Sequence, residues 1–338
     1  MRLNHAETLT NTAPGWAPLV YLFSETSYSQ KDGFRQLAGP DVFSTISGIP
    51  LSAQTFIRWP DLANAEGGMP VLDAKNAAKI PWVEIYREIG SGQRGMVGYH
   101  VPPTFSFDEY LDLVLPREIG NYSGRDSLEE LIADVDQTGF QKKEIESCIS
   151  QEISIGDWGE CFAYHQIETF LKIAIPWPPL WDKRNSRSSL SGADIIGLAN
   201  GQTSMHFVFG EVKTSSEDRC PPTVVTKPKE GLVDQLRRLH RFEVVIELIA
   251  WLLRKSKGQS WENDFRTALC SLIRNSYEYS IVGVLVRDTA PSKDDLEYAL
   301  KTLSDGMQRL DLYAFYIPTE IDSCLARFNK GGGKSVAS

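Results

Sequence analysis

The sequence predicts an α/β sandwich, and three observations carry that reading. Past residue 150 the chain alternates helical and strand-like segments, the order expected of helices packed on a sheet. The helical segments keep their apolar residues on one stripe. The strand-like segments are apolar on both faces, as strands covered by helices on each side must be. With 338 residues, 42% of them hydrophobic, the chain is long enough for such a core and for more than one ordinary domain.

Residues 1–15 are polar and are expected to be loose. Up to about residue 120 the chain is rich in Pro and Gly, with strand-like runs at 18–23, 55–59, 82–89 and 96–102. This reads as an α+β N-terminal accessory or recognition region over residues 1–145. Ser127 with Glu130 three positions on resembles a capping box, and a boundary or hinge is placed within 120–148. The second domain is expected to span 146–330, followed by a flexible tail at 331–338. Within it, a helix is predicted from Gly156 to Leu171, then the start of a strand in KIAIPW and a loop over 176–191 rich in Pro, Ser and Arg. Two strands follow in SGADIIGLANGQTSMHFVFGEVKTS, residues 191–215. One long helix is predicted next, with Leu232, Leu236, Leu239, Phe242, Ile246 and Ile249 near helical spacing. YSIVGVLVRD (279–288) reads as a fully buried strand, 292–307 as an amphipathic helix with a Ser cap, 309–318 as a strand, and a short helix ends the domain.

Composition narrows the function classes. A net charge of −9 and a pI near 5.2 give no global positive field, which argues weakly against a polyanion partner, since binding needs only a local basic surface. The cysteines Cys148, Cys161, Cys220, Cys270 and Cys324 are odd in number and scattered, so neither a zinc site nor a disulfide framework is indicated. The first residues lack the basic start and apolar run of a signal peptide. The apolar stretch 242–253 is too short to span a bilayer and carries Glu243 and Glu247, so it is expected to be a core helix. A soluble, cytoplasmic protein with reduced thiols is the expectation.

Three charged residues stand out within the pair of apolar strands: Asp194, Glu211 and Lys213. Charge inside a buried strand is costly unless it is paired or binds something. Side chains two apart share a strand face, so Glu211 and Lys213 project together with Phe207 and Phe209, while Val208, Gly210 and Val212 face the other way. A tight turn at Asn200-Gly201 would set Asp194 opposite Phe207 and leave Glu211 roughly 13 Å along the strand. A longer loop centred on Gln202-Thr203 would set Asp194 opposite Glu211, about 5 Å away. The second register is expected, because it alone gives both acids a chemical purpose. Two carboxylates so close repel unless a cation lies between them. Mg²⁺ or Mn²⁺, with few protein oxygens and the rest from water and phosphate, suits them. Lys213 beside them is placed to orient or help deprotonate an attacking water.

Asp194 followed by Glu211-Val212-Lys213 at the end of the next strand resembles the PD-(D/E)XK nuclease superfamily, with its restriction-endonuclease-like α/β/α core and mixed central sheet. The resemblance covers about 150–320 and leaves the N-terminal region unexplained. SGAD stands where many members have Pro-Asp. It implies a Mg²⁺- or Mn²⁺-dependent deoxyribonuclease, with Asp194, Glu211 and the Val212 carbonyl as metal ligands and Lys213 as the water-activating residue. It further implies that Glu160, on the preceding helix, completes the metal site and that Gln235, on the following one, assists. The layout resembles bacterial antiviral-defence nucleases, including the nuclease subunit of Hachiman-like systems, which works with a helicase partner. DNA and a helicase or ATPase are therefore the expected partners; no membrane is expected, and oligomerisation stays open. Basic residues flank the motif: Lys183, Arg184 and Arg187 before it, and Lys227, Lys229, Arg237, Arg238 and Arg241 after it.

Other readings compete. Glu211 and Lys213 as a plain cross-strand ion pair leaves Asp194 and Glu160 unexplained. A catalytically silent nuclease-fold module that binds nucleic acid or protein is a rival from another class, and a DNA-repair or junction nuclease a rival within the same one. His165, His206 and His240 share no ligand spacing and read as ordinary surface or core residues. Gly90, Gly92, Gly95 and Val97 match the glycine-rich loop of protein kinases, yet MVGYHVPP lacks the required lysine and no HRD or DFG segment follows. A glycine-rich hairpin is the simpler account.

Overall fold

A computed structural model describes residues 79–90, 93–123, 153–182, 192–201, 204–274, 279–303 and 309–331. The expectations for the strands at 18–23 and 55–59, the cap at Ser127, the boundary in 120–148 beyond residue 123, the tail beyond residue 331, Cys148 and the basic residues Lys183, Arg184 and Arg187 fall outside these residues.

A seven-stranded mixed sheet organises the described chain, in the order β1-β2-β7-β6-β5-β4-β3. The strands are β1 (Val83–Ile89), β2 (Gln93–His100), β3 (Ile173–Ala174), β4 (Ile195–Asn200), β5 (Met205–Ser215), β6 (Ser280–Arg287) and β7 (Arg309–Tyr316). Strands β5, β6, β7 and β2 run parallel. The hairpin β1–β2 and the pairs β5–β4 and β4–β3 are antiparallel. Thus the glycine-rich stretch does form a hairpin. Its strands, expected within a separate N-terminal region, instead pair into the same sheet through β7. That parallel pairing joins residues more than two hundred positions apart, so no local pattern announces it.

Helices cover both faces. On one lie α1 (Phe107–Leu113), α2 (Leu115–Ser123), α3 (Ile155–Gln166) and, near the C-terminus, α9 (Ile321–Gly331). Their Tyr110, Ile119, Trp158, Phe162 and Ile321 pack with Val208, Val212, Val284 and Phe315 of the sheet. On the other lie α5 (Leu232–Leu239), α6 (Phe242–Ser256), α7 (Glu262–Arg274) and α8 (Asp294–Leu303), after a single turn α4 (Thr223–Thr226). There Leu236, Leu252, Phe265 and Leu300 pack with Phe207, Phe209, Leu285 and Leu312. Every residue of β6 is buried, which explains its continuous apolar run. Burial of each large aliphatic or aromatic side chain contributes about 1.5–3 kcal/mol.

Helix α3 begins where Ser154 accepts a hydrogen bond from the Asp157 amide and donates one to the Asp157 carboxylate, a two-way cap. It continues as a π-helical turn, Ile167–Leu171, which Lys172 ends in the left-handed conformation with φ 61°. The expected helix to Leu171 is therefore present, with a widened last turn.

The single long helix expected after residue 231 is instead two. Arg241 adopts an extended conformation between α5 and α6, and the Tyr279 hydroxyl donates to the carbonyls of Leu239 and His240 that the break exposes. The break turns the second helix, which buries Val245, Leu248, Ile249 and Leu252 and leaves Phe242 and Ile246 half-exposed. The apolar residues of the two helices happen to line up as one stripe. No helix among the described residues is long and apolar enough to cross a membrane.

Candidate functional site

The β4–β5 ladder runs from Asn200↔Met205 to Ile195↔Gly210. This is the longer-loop register, and its next step brings Asp194 beside Glu211. The alternation along β5 also holds: Phe207 and Phe209 enter one core, Val208 and Val212 the other. Glu211 and Lys213 thus lie near the carboxyl end of a buried parallel strand, the end where open α/β sheets bind their ligands.

The three residues are mutually engaged. Lys213 Nζ donates to Glu211 Oε1 at 2.6 Å. Asp194 Oδ2 accepts the Val212 amide at 3.0 Å, and the Asp194 amide donates to the Gly210 carbonyl at 3.0 Å. Glu211 is only 5% exposed. Burial, and then the neighbouring Asp194 carboxylate in hydrogen-bonding contact, push the Glu211 carboxyl well above its ordinary range, to about 8, against the pull of Lys213. For Lys213 burial favours the neutral amine, but Glu211, Asp194 and Glu160 outweigh it and hold the ammonium charged. One cation therefore stands among three acids. The surplus of acids around the buried Glu211, with Asp194, Lys213 and Glu160 half-buried, fits a hard divalent cation, which oxygen donors of this kind hold.

Glu160 comes from α3, and a close approach of helix to strand sets its place. A Cβ on Gly159 would run into Thr214 Oγ1, so only glycine lets α3 sit this tightly on β5. Glu160 is half-buried and within electrostatic reach of Lys213. Its Oε2 lies 3.5 Å from the Tyr164 hydroxyl. Among the described residues no three His, Cys, Asp or Glu side chains form a ready metal cluster: Asp194 and Glu211 are together, while Glu160 stands next to them across Tyr164.

Gln235, on α5, accepts a hydrogen bond from Arg238 at 2.7 Å. Val212 meets Asp194 through its amide. Of the basic residues, Lys227 pairs with Glu230, and Lys229, Arg237 and Arg241 are exposed. His165 is a core residue, 3.7 Å from the equally buried Glu118, and His240 is exposed.

Sequence reasoning missed two features. Tyr164 belongs to no motif in the sequence, yet its hydroxyl donates to the Asp194 carbonyl at 2.8 Å. At the end of the neighbouring strand, Arg287 and Asp295 form an ion pair at 3.0 Å with both side chains fully buried. No pattern of period 2 or 3.6 marks either; each depends on a meeting of distant segments.

No curated protein matches the chain. A family model described as HamA matches residues 97–324, about two thirds of the sequence, from the middle of β2 into α9, with Glu160, Asp194, Glu211 and Lys213 all inside. The chain belongs to the HamA family, which is associated with Hachiman defence.

Proposed function

We propose that the protein is a metal-dependent nuclease that hydrolyses phosphodiester bonds of DNA as the effector of a Hachiman-type defence system, on a core of the restriction-endonuclease-like kind. One observation carries the reading: the β4–β5 register sets Asp194 beside Glu211 and Lys213 at the carboxyl end of a buried strand. Membership in a defence-associated family agrees with it. Asp194 and Glu211 would hold Mg²⁺ or Mn²⁺, with Glu160 as the adjacent acid. The bound ion supplies a Lewis acid that offsets charge on the phosphate. Lys213, held charged by the acids around it, donates hydrogen bonds that orient the attacking water and stabilise charge developing on the phosphoryl oxygens. The exposed Lys229, Arg237 and Arg241 offer phosphate contacts along the backbone, and a helicase partner would present the strand.

The test is cleavage of plasmid and linear DNA with Mg²⁺, Mn²⁺ or EDTA. Wild type is expected to nick or degrade DNA only with the metal, and Lys213→Ala to lose at least about a hundredfold in rate. Metal-independent cleavage, or undiminished cleavage by Lys213→Ala, would overturn the assignment.

A further inference from the structure

We propose that Tyr164 is a positioning residue for this site, fixing the main chain of Asp194 so that its carboxylate stays beside Glu211; the inference rests on the reading above. The side chain is fully buried, with its ring edge-on to Tyr122 at 5.4 Å. Its hydroxyl lies 2.8 Å from the Asp194 carbonyl and 3.5 Å from Glu160 Oε2. One proton cannot serve both acceptors well, and a 3.5 Å separation is at the limit of hydrogen bonding. The proton therefore goes to Asp194.

That bond is positioned to matter. Asp194 precedes β4 and is the last point at which the β4–β5 ladder holds it, through its amide to Gly210 and its carboxylate to the Val212 amide. Both those bonds come from β5. The Tyr164 bond is the tie from α3, the helix that also carries Glu160. A rigid phenol anchored in the aromatic core sets where the Asp194 carbonyl lies, and so which way its carboxylate points. The same side chain fixes the distance between the Glu160 helix and the Asp194–Glu211 pair. Partners that hold metal-binding residues in place in this way typically change metal affinity by about 10–100-fold when removed.

Tyr122 provides the control. It is also buried and touches the Tyr164 ring, but its hydroxyl donates to Glu168, away from the acids. Mn²⁺ is titrated calorimetrically into wild type, Asp194→Asn, Tyr164→Phe and Tyr122→Phe, with folding checked by circular dichroism. Wild type is expected to bind and Asp194→Asn to lose binding, while Tyr164→Phe weakens it about tenfold or more. Tyr122→Phe is expected to lower the melting temperature and leave affinity within about twofold, because its hydroxyl bonds Glu168 and does not touch Asp194, Glu211 or Glu160. Unchanged affinity in Tyr164→Phe, or an equal loss in Tyr122→Phe, overturns the positioning role and leaves the metal site standing. Failure of wild type itself to bind Mn²⁺, or binding that survives in Asp194→Asn, overturns the metal site as well.

Discussion

Two charge clusters, one fully buried and one half-buried around Glu211, sit at the carboxyl ends of adjacent parallel strands, and they are built to opposite standards. On β6, Arg287 has each guanidinium nitrogen occupied: Nε by Thr289, one terminal nitrogen by Asp295 and the Arg219 carbonyl, the other by Thr289 and the Glu217 carbonyl. The second Asp295 oxygen accepts from Tyr316, whose hydroxyl also meets Tyr86 and Ser292. One positive charge faces one negative charge, and every polar atom of the pair is engaged. On β5, two rows from Arg287 by the pairing of Ser215 with it, Lys213 stands among Glu211, Asp194 and Glu160. A saturated, neutral cluster is a fastening: it pins the segment 217–219 and α8 to the sheet. The acid-rich cluster holds more acids than its one lysine can pair, and the proposed cation would complete it.

Breaking the fastening should have the largest effect on folding. Asp295→Ala leaves Arg287 charged and buried, and a broken buried pair costs about 3–5 kcal/mol. Chemical denaturation should report that loss, with metal binding by the folded fraction unchanged. A loss of metal affinity in a folded Asp295 variant would mean that the two clusters are not separate.

Relieving the acid-rich cluster should do the reverse. With its carboxyl raised to about 8 in the fold and near 4.5 when unfolded, Glu211 favours folding most when protonated. The stability it contributes is complete below about pH 4.5 and is lost as pH rises toward 8. Glu211→Gln has no such proton to lose. Metal-free wild type should therefore fall progressively behind the variant across that window, by an amount on the order of a few kcal/mol. Parallel denaturation curves at all pH values would contradict the strain assigned to this cluster.

How much of this was legible follows from the range of each signal. The strand β6 and the hairpin β4–β5 were readable because burial on both faces writes itself as a local apolar run. The register was readable because Asp194 and Glu211 needed a shared purpose, an argument from chemistry and not from turn propensity. The break at Arg241 was hidden because Leu239 and Phe242 keep helical spacing across it. Arg287–Asp295 and Tyr164–Asp194 were illegible for a different reason: each partner is ordinary in its own segment, and only the assembled sheet brings them together. The pairing of β2 with β7 was out of reach on the same ground.

The smallest expected effect belongs to the third kind of charge, on the surface. Arg237→Ala and Arg241→Ala, at exposed positions, should shift stability by no more than about 0.5 kcal/mol. Removing an arginine that neutralises a phosphate should lower the salt slope of DNA binding by about one. Binding that is unchanged in both variants would place the DNA track elsewhere.

The most direct measurement of the central claim is thermal unfolding at about pH 8, the value to which Glu211 is raised, with and without Mn²⁺, in wild type, Glu211→Gln and Asp295→Asn. A ligand that binds only the folded state must raise its melting temperature. The acid-rich cluster as a cation site predicts a rise in wild type, little or none in Glu211→Gln, and an undiminished rise from a lower starting point in Asp295→Asn. Equal rises in wild type and Glu211→Gln, or none in wild type, would contradict it.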